Sequence, residues 1–540
     1  MSEQPPTQAQ SIARAALLLA VANLLSRILG FGRDWLLSYA FGASGQTDVY
    51  QASFTLPDLL NHLLAGGALS VSLLPRMSRL YADERDLPAG APRESDRVFS
   101  IIFNLMALAA ALFVVVAWLA AEPLTALWYK DFTRQQIADT VRLTRIVLPA
   151  QLFFLTGGLI QACLLARQSF KAMALTPLLY NAGIIAGGVV GTATGWIDGF
   201  SWGALIGAGL GGLAVPAWSA RKSLRLQWIF EPGHPEVRAF LWMALPLIVG
   251  VSLTTVDDWL GKRFGSGLTP GSISQLSMAR KVMLVPIGLL GTAAGQAAGS
   301  YIAKLHAEGK KQELAQTLAS SLAAVVGLSL VLSGVLMACA LPVVQVLFRY
   351  GRFGASDAEA TANALVPLAA GIAAWGAQSV LARAFFAVGD TWRPMLATTV
   401  VTIGMVPLYA IGAQWQGHEL QGLALAGTAG IAMQALALSV LARRFLGLDL
   451  QAFGRGVLRG LAVAMASGGL ALAVRLLVTP HLPQDWPLPV QALVTLVCAG
   501  VPWLLAFVAL GTLLQMPGMP RQFLALRGRL ATRIKRLQGA

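Results

Sequence analysis

Ionisable side chains are scarce in the apolar runs of this chain, and the few present define its chemistry. Arg27, Arg33 and Asp34 lie in the first apolar segment, and Asp48 lies near the start of the second. A charged side chain at membrane depth costs at least ~2.5 kcal/mol, so it normally faces a bundle interior or a wet cavity. Arginine presents a planar fork of donors matched to phosphate oxygens, so two arginines on one helix point to an anion-handling cavity. The alternative is a structural pair with Asp34 or Asp48, because buried charges need partners. Six residues turn a helix through about 600°, which puts Arg27 and Arg33 on different faces, whereas Arg27 and Asp34, seven apart, share one. Farther along, Arg280 and Lys281 sit well inside an apolar run, where a cavity role competes with snorkelling to the interface. Asp257 and Asp258 have the character of a proton or sodium relay, or of counter-ions to Lys262. His62 titrates near neutrality and is a candidate for gating or proton coupling, against the alternative of a hydrogen-bonded structural histidine.

The elements that must hold these residues are membrane helices. The chain has 540 residues, 56% apolar and 12% charged, with a mean hydropathy of +0.65, whereas soluble domains carry about 25% charged residues. Many runs reach the roughly 20 apolar residues of a spanning helix, and about fourteen such helices are expected. Alternating strands of about ten residues are absent, which excludes an outer-membrane barrel. The net charge of +15 would suit nucleic acid, but the Lys and Arg residues concentrate in alternate loops, as the positive-inside rule requires, with both termini cytoplasmic. The first apolar segment is too long and too charged for a cleaved leader and is expected to stay. Pro57 is expected to break the second helix. Gly207, Gly209 and Gly212 match GxGxxG, but they lie in an apolar run with no strand before them and read as helix packing. Cys163, Cys339 and Cys498 stand singly, the five His residues are dispersed, and no nucleotide loop, metal cluster or triad spacing points to an enzyme.

An internal repeat organises the chain. QACLLARQSFKAMALTP (161–177) aligns without gaps on QSVLARAFFAVGDTWRP (378–394), an offset of 217, and the charged entry to the third helix near Arg97 maps onto Leu314. The expected architecture is an all-α membrane protein with an N-terminal lobe over 1–230, a repeated lobe over 231–450, and two further helices with a basic cytoplasmic tail over 451–540. The tail places Phe523, Leu526, Leu530, Ile534 and Leu537 at helical spacing beside Arg521–Arg536, which suggests an interfacial helix on anionic lipid. Repeated halves with a binding site between them are a transporter architecture.

The motifs SRILGFGRD (26–34), FGAS with Asp48, LPDLL with LAGGALS and Pro75, GLTPGSIS (267–274), LFRYGRFGASD (347–357) and LARAFFAVGDTWRP (381–394) together resemble the MurJ (MviN) family of lipid II flippases. That family belongs to the multidrug/oligosaccharidyl-lipid/polysaccharide exporter superfamily. The resemblance implies two six-helix lobes around a cationic cavity for a diphosphate-sugar head group, in a bacterial cytoplasmic (inner) membrane. By motif match it makes Arg27 and Arg33 cavity arginines, Asp48 their acidic neighbour and Ser274 a cavity-lining residue. The chain also departs from the pattern. Asn61 and His62 stand where many members have an arginine pair, and Gly66 stands for a glutamate. Gly261 falls at an acidic position, and Ala279-Arg280-Lys281 stands for Ala-Asp-Arg. The implied function is alternating-access transport of a polyprenyl-diphosphate-linked peptidoglycan precursor, lipid II, driven by Na+, H+ or membrane potential without a cofactor. A flippase for another lipid-linked oligosaccharide and a cation-coupled drug exporter are the alternatives. The expected partners are the lipid-linked glycan and membrane lipids, not nucleic acid.

Overall fold

The computed structural model describes residues 8–64, 68–86, 88, 91, 93–240, 242 and 253–519. The basic tail and Gly66 lie outside them. Every regular element among these residues is helical. Nine helices are long and apolar enough to cross a membrane, or ten if one pair bent by 43° counts as a single span, among the described residues. The chain divides into two compact units, Met1–Val251 and Ser252–Ala540.

The first unit opens with α1 (Gln8–Phe41), α2 (Gly45–Ser53), α3 (Thr55–Leu64) and α4 (Ala68–Asp83). Ser44 caps α2 through a reciprocal pair with Thr47, whose Oγ1 accepts from the Ser44 N–H at 2.8 Å. The chain breaks at Phe54 rather than at Pro57, which stands in the first turn of α3. A helix start leaves its first N–H groups without intrahelical acceptors, so the missing N–H of proline costs nothing there. Next come α5 (Glu94–Leu119), α6 (Ala121–Trp128), α7 (Arg134–Val147), α8 (Ala150–Ala166) and α9 (Lys171–Thr194). The last helices are α10 (Asp198–Gly207), a π-helical stretch Ala208–Ala214, and α11 (Val215–Ala220). Phe99, Ile102, Leu155, Leu159 and Phe240 share its main core.

Two local features explain polar and small residues in apolar helices. Asn104 of α5 donates to the carbonyls of Gln227 and Ile229 at 2.8 and 3.1 Å, and Ser100 accepts from the Gln227 N–H at 3.0 Å. These side chains satisfy the backbone of an extended strap that has no ladder of its own. On α9 and α10, a Cβ at Gly187 would stand 2.2 Å from the Gly199 carbonyl oxygen, and one at Gly203 would stand 2.4 Å from that of Gly183. Such spacing lets backbones touch where lipid supplies no hydrophobic drive for association. The GxGxxG match belongs to the same packing, since Gly207 meets the Tyr180 carbonyl oxygen and Gly212 the Phe154 ring.

The second unit comprises α12 (Leu253–Gly265), α13 (Ser272–Ala307), α14 (Lys311–Ala338), α15 (Ala340–Phe348) and α16 (Ala355–Ala370). It continues with α17 (Ile372–Ala387), α18 (Trp392–Gly412), α19 (Glu419–Leu446), α20 (Leu450–Val478) and α21 (Leu488–Leu513). The bent pair is α16 with α17. Leu318, Leu322, Leu381, Phe385 and Leu438 form its core, and α20 lies against α14 through Gly460 on Gly327.

The repeat is present with a shifted register. Helices α5 and α14 begin at 94 and 311, an offset of 217, but α7 and α16 begin at 134 and 355, an offset of 221. Gln168 and Gly389, also 221 apart, both adopt left-handed backbone, with φ of 59° and 82°. The N–H groups that follow close the same turn, Ser169 to the Leu164 carbonyl at 2.8 Å and Asp390 to that of Phe385 at 2.9 Å. The gap-free sequence alignment over 161–177 is thus four residues out, about one helical turn, a slip that keeps every apolar residue near its face.

Candidate functional site

The first candidate cluster lies on α1 and α9. Arg33 Nη2 stands 3.1 Å from Asp34 Oδ1, its Nε donates to the same oxygen at 3.1 Å, and Nη1 donates to Asn181 Oδ1 at 3.4 Å. Asn181 in turn donates to Ser26 Oγ at 3.2 Å and to the Pro177 carbonyl at 3.0 Å. The amide therefore ties the two helices together and aims its oxygen at the guanidinium. The Arg33 side chain keeps 25% of its surface exposed, which leaves a tethered cation open on one side. Arg27 is exposed. Asp48 is buried in the first turn of α2, where the helix dipole favours an acid. Asn61 is exposed and His62 half-buried on α3, with the imidazole Nε2 buried and unpartnered.

The second cluster binds four helices of the other unit. Arg280 of α13 reaches α12, with Nη2 at 2.9 Å from Asp257 Oδ2 and Nη1 at 3.2 Å from Asp258 Oδ1. Lys262 Nζ takes the other Asp258 oxygen at 2.7 Å. Tyr409 of α18 donates to Asp257 Oδ1 at 2.5 Å. A Cβ at Gly427 of α19 would meet that oxygen at 2.4 Å, and one at Gly261 would stand 3.0 Å from Arg280 Nη2. Two acids and two bases leave the cluster formally neutral, as buried ion groups require. Two of the departures noted in the sequence are therefore one rearrangement. Where the resemblance implies acids at 261 and 280, glycine opens the space at 261 and the guanidinium of Arg280 fills it. Asp257 is closed on Arg280 and Tyr409 in this form, so a relay through it requires that pair to open. Lys281 is half-buried and Ser274 fully buried.

Sequence reasoning missed Asn181, Tyr409 and the spacer Gly427, and it singled out Gly261 only as a missing acid. A signal existed for Asn181, a lone amide four residues after Pro177 in an apolar helix. A tyrosine or glycine in such a helix is too ordinary to stand out. Among the described residues no group of three or more His, Cys, Asp or Glu could hold a metal ion.

Comparison with known proteins matches residues 37–486 to the lipid II flippase MurJ family. A probable lipid II flippase MurJ of Rhizobium tropici is 26% identical over 510 residues, 91% of this chain and 86% of that protein. The lipid II flippase MurJ of Burkholderia cenocepacia is 26% identical over 447 residues, 81% and 83% of the two chains. Among solved structures, a lipid II flippase MurJ in an inward closed conformation superposes with a TM-score of 0.74 at 21% identity, covering 92% of this chain and 99% of that one. An inward-facing multidrug resistance MATE family transporter gives 0.64 at 14% identity over 80% and 98%. At these identities the structural likeness concerns the fold.

Proposed function

The chain belongs to the lipid II flippase MurJ family, and we propose that it carries lipid II across the bacterial cytoplasmic membrane by alternating access. What carries the reading is that the family match runs through both halves of the repeat, over residues 37–486. Within that frame, Arg33 held by Asp34 and Asn181 is the leading ligand for the diphosphate, because a side chain that keeps a quarter of its surface exposed can still meet phosphate oxygens. Arg27, Asp48, Ser274 and Lys281 complete the proposed substrate path, and Asn61, His62, Asp257 and Asp258 are proposed for gating or coupling. The driving force is Na+, H+ or membrane potential, with no cofactor and no catalysis. The three proposed segments are 1–230, 231–450 and 451–540, with both termini in the cytoplasm. That topology follows from the basic loops, and a cysteine placed at Ala355 should react with a membrane-impermeant reagent from outside while one at Arg85 should not. The opposite labelling would invert it.

A second substrate, another lipid-linked oligosaccharide, is favoured by the charge rearrangement at Gly261 and Arg280 and by Asn61 and His62. Complementation separates the two readings. Expression of this chain should restore growth to a bacterium depleted of its own lipid II flippase. Membrane-inserted protein without growth would reject lipid II as the substrate.

A further inference from the structure

On the flank of the first unit, α6 and α7 enclose a groove of about 640 Å³ that the transport reading does not use. Its walls are unlike those of an ordinary lipid-facing crevice. One stripe of α7 places Arg134, Arg142 and Arg145 along the groove, and Ala126, Ala138 and Val141 form an apolar floor. Glu122 of α6 is the acid in its lining. Arg142 is already neutralised, lying 3.0 Å from Asp139 and 2.8 Å from Asp198. Arg145 is held in place without being neutralised, since its Nε donates to the Trp118 carbonyl at 3.2 Å and its guanidinium lies 4.7 Å from the Trp118 ring centre. Arg134 stands in the first turn of α7, where no acid accompanies it and where the helix dipole disfavours a cation. Arg134 and Arg145 are thus the two cations of the lining that no carboxylate holds in an ion pair among the described residues, although the three arginines and the acids Glu122, Asp139 and Asp198 balance overall.

The surroundings say what reaches the groove. Leu119 and Leu127 are 65% and 64% exposed, and Trp118 and Trp128 also present their rings to the outside. Such a rim of leucine and tryptophan belongs to a membrane-facing surface near the head-group level. We infer that this groove is a binding site for an anionic phospholipid, with Arg134 and Arg145 donating to its phosphodiester and the apolar floor receiving the start of an acyl chain. Two guanidiniums free of carboxylate partners suit the two non-bridging oxygens of one phosphodiester, and the balancing acids nearby disfavour a more highly charged diphosphate. The site is independent of which lipid is transported, so it stands or falls apart from the flippase reading.

The test uses the full-length protein in mixed micelles containing equal phosphatidylglycerol and phosphatidylethanolamine, with bound lipid read by native mass spectrometry. The wild type should retain phosphatidylglycerol preferentially. Arg134→Gln, at an exposed position, should cut that preference about fivefold, and the double variant with Arg145→Gln about thirtyfold, at roughly 1 kcal/mol per arginine near a lipid surface. A control pair of equal charge loss, Arg352→Gln with Arg443→Gln, should leave it intact. The inference is overturned if the wild type holds both lipids equally, or if Arg134→Gln and the control pair lose the same amount. Displacement of the lipid by millimolar inorganic phosphate would overturn it too, as would retention of a polyprenyl diphosphate in place of phosphatidylglycerol.

Discussion

Arg280→Ala should lower the stability of the folded protein by about 3–5 kcal/mol, the usual consequence of removing one partner from a buried ion pair. Asp257, 3% exposed, would keep only the Tyr409 hydroxyl, and the space beside Gly261 would become a cavity. Thermal unfolding of the purified protein measures this directly. The double variant Asp257→Asn with Arg280→Met should regain most of the loss, because a neutral side chain of similar volume removes the charge imbalance and refills the space. Asp258→Asn should matter less, since that side chain is 28% exposed against 5% for Asp257. An Arg280→Ala protein with wild-type stability and no transport would instead make the guanidinium a ligand for the substrate.

How far the chain explains itself from sequence differs between these clusters for a physical reason. The long lipid-exposed helices follow from hydropathy, though breaks such as the one at Phe54 do not, and Arg33, Asp257 and Arg280 are conspicuous because charge is rare in such segments. Two pairings open in the sequence occur, Arg33 with Asp34 and Asp258 with Lys262, whereas Arg280 does not snorkel but is buried against Asp257 and Asp258. What periodicity does not encode is which helices meet. Tyr409 and Asp257 are separated by 152 residues, and their meeting depends on Gly427 and Gly261 leaving room, which no pattern within one helix reports. The register of the repeat failed for a related reason. Alanine- and leucine-rich segments look alike after a slip of one turn, and only the left-handed caps at Gln168 and Gly389 fix the true offset.

Arg33, the proposed diphosphate ligand, gives the sharpest functional expectation. Arg33→Ala should reduce transport per folded molecule at least about thirtyfold, corresponding to the 2 kcal/mol or more that a desolvated charge-assisted contact contributes. Arg27→Ala should do less, because Arg27 is exposed and lies outside the clamp that Asp34 and Asn181 form on Arg33. Arg33→Lys should recover only part of the loss, since a point charge lacks the fork that spans two phosphate oxygens. The competing account is that Arg33 exists only to neutralise Asp34. That account makes a different forecast for the double variant Arg33→Gln with Asp34→Asn, which keeps size and hydrogen-bonding capacity while removing both charges. A purely structural pair would leave this variant folded and transporting, whereas a diphosphate ligand would leave it folded and inactive. Asn181→Leu adds an independent arm. It removes the amide that aims Nη1, so a ligand role predicts weaker substrate affinity with the maximal rate largely kept, while a structural role predicts fewer folded molecules and unchanged kinetics in those that remain. Turnover normalised to folded protein in these variants, measured in proteoliposomes, decides whether the guanidinium of Arg33 receives the diphosphate.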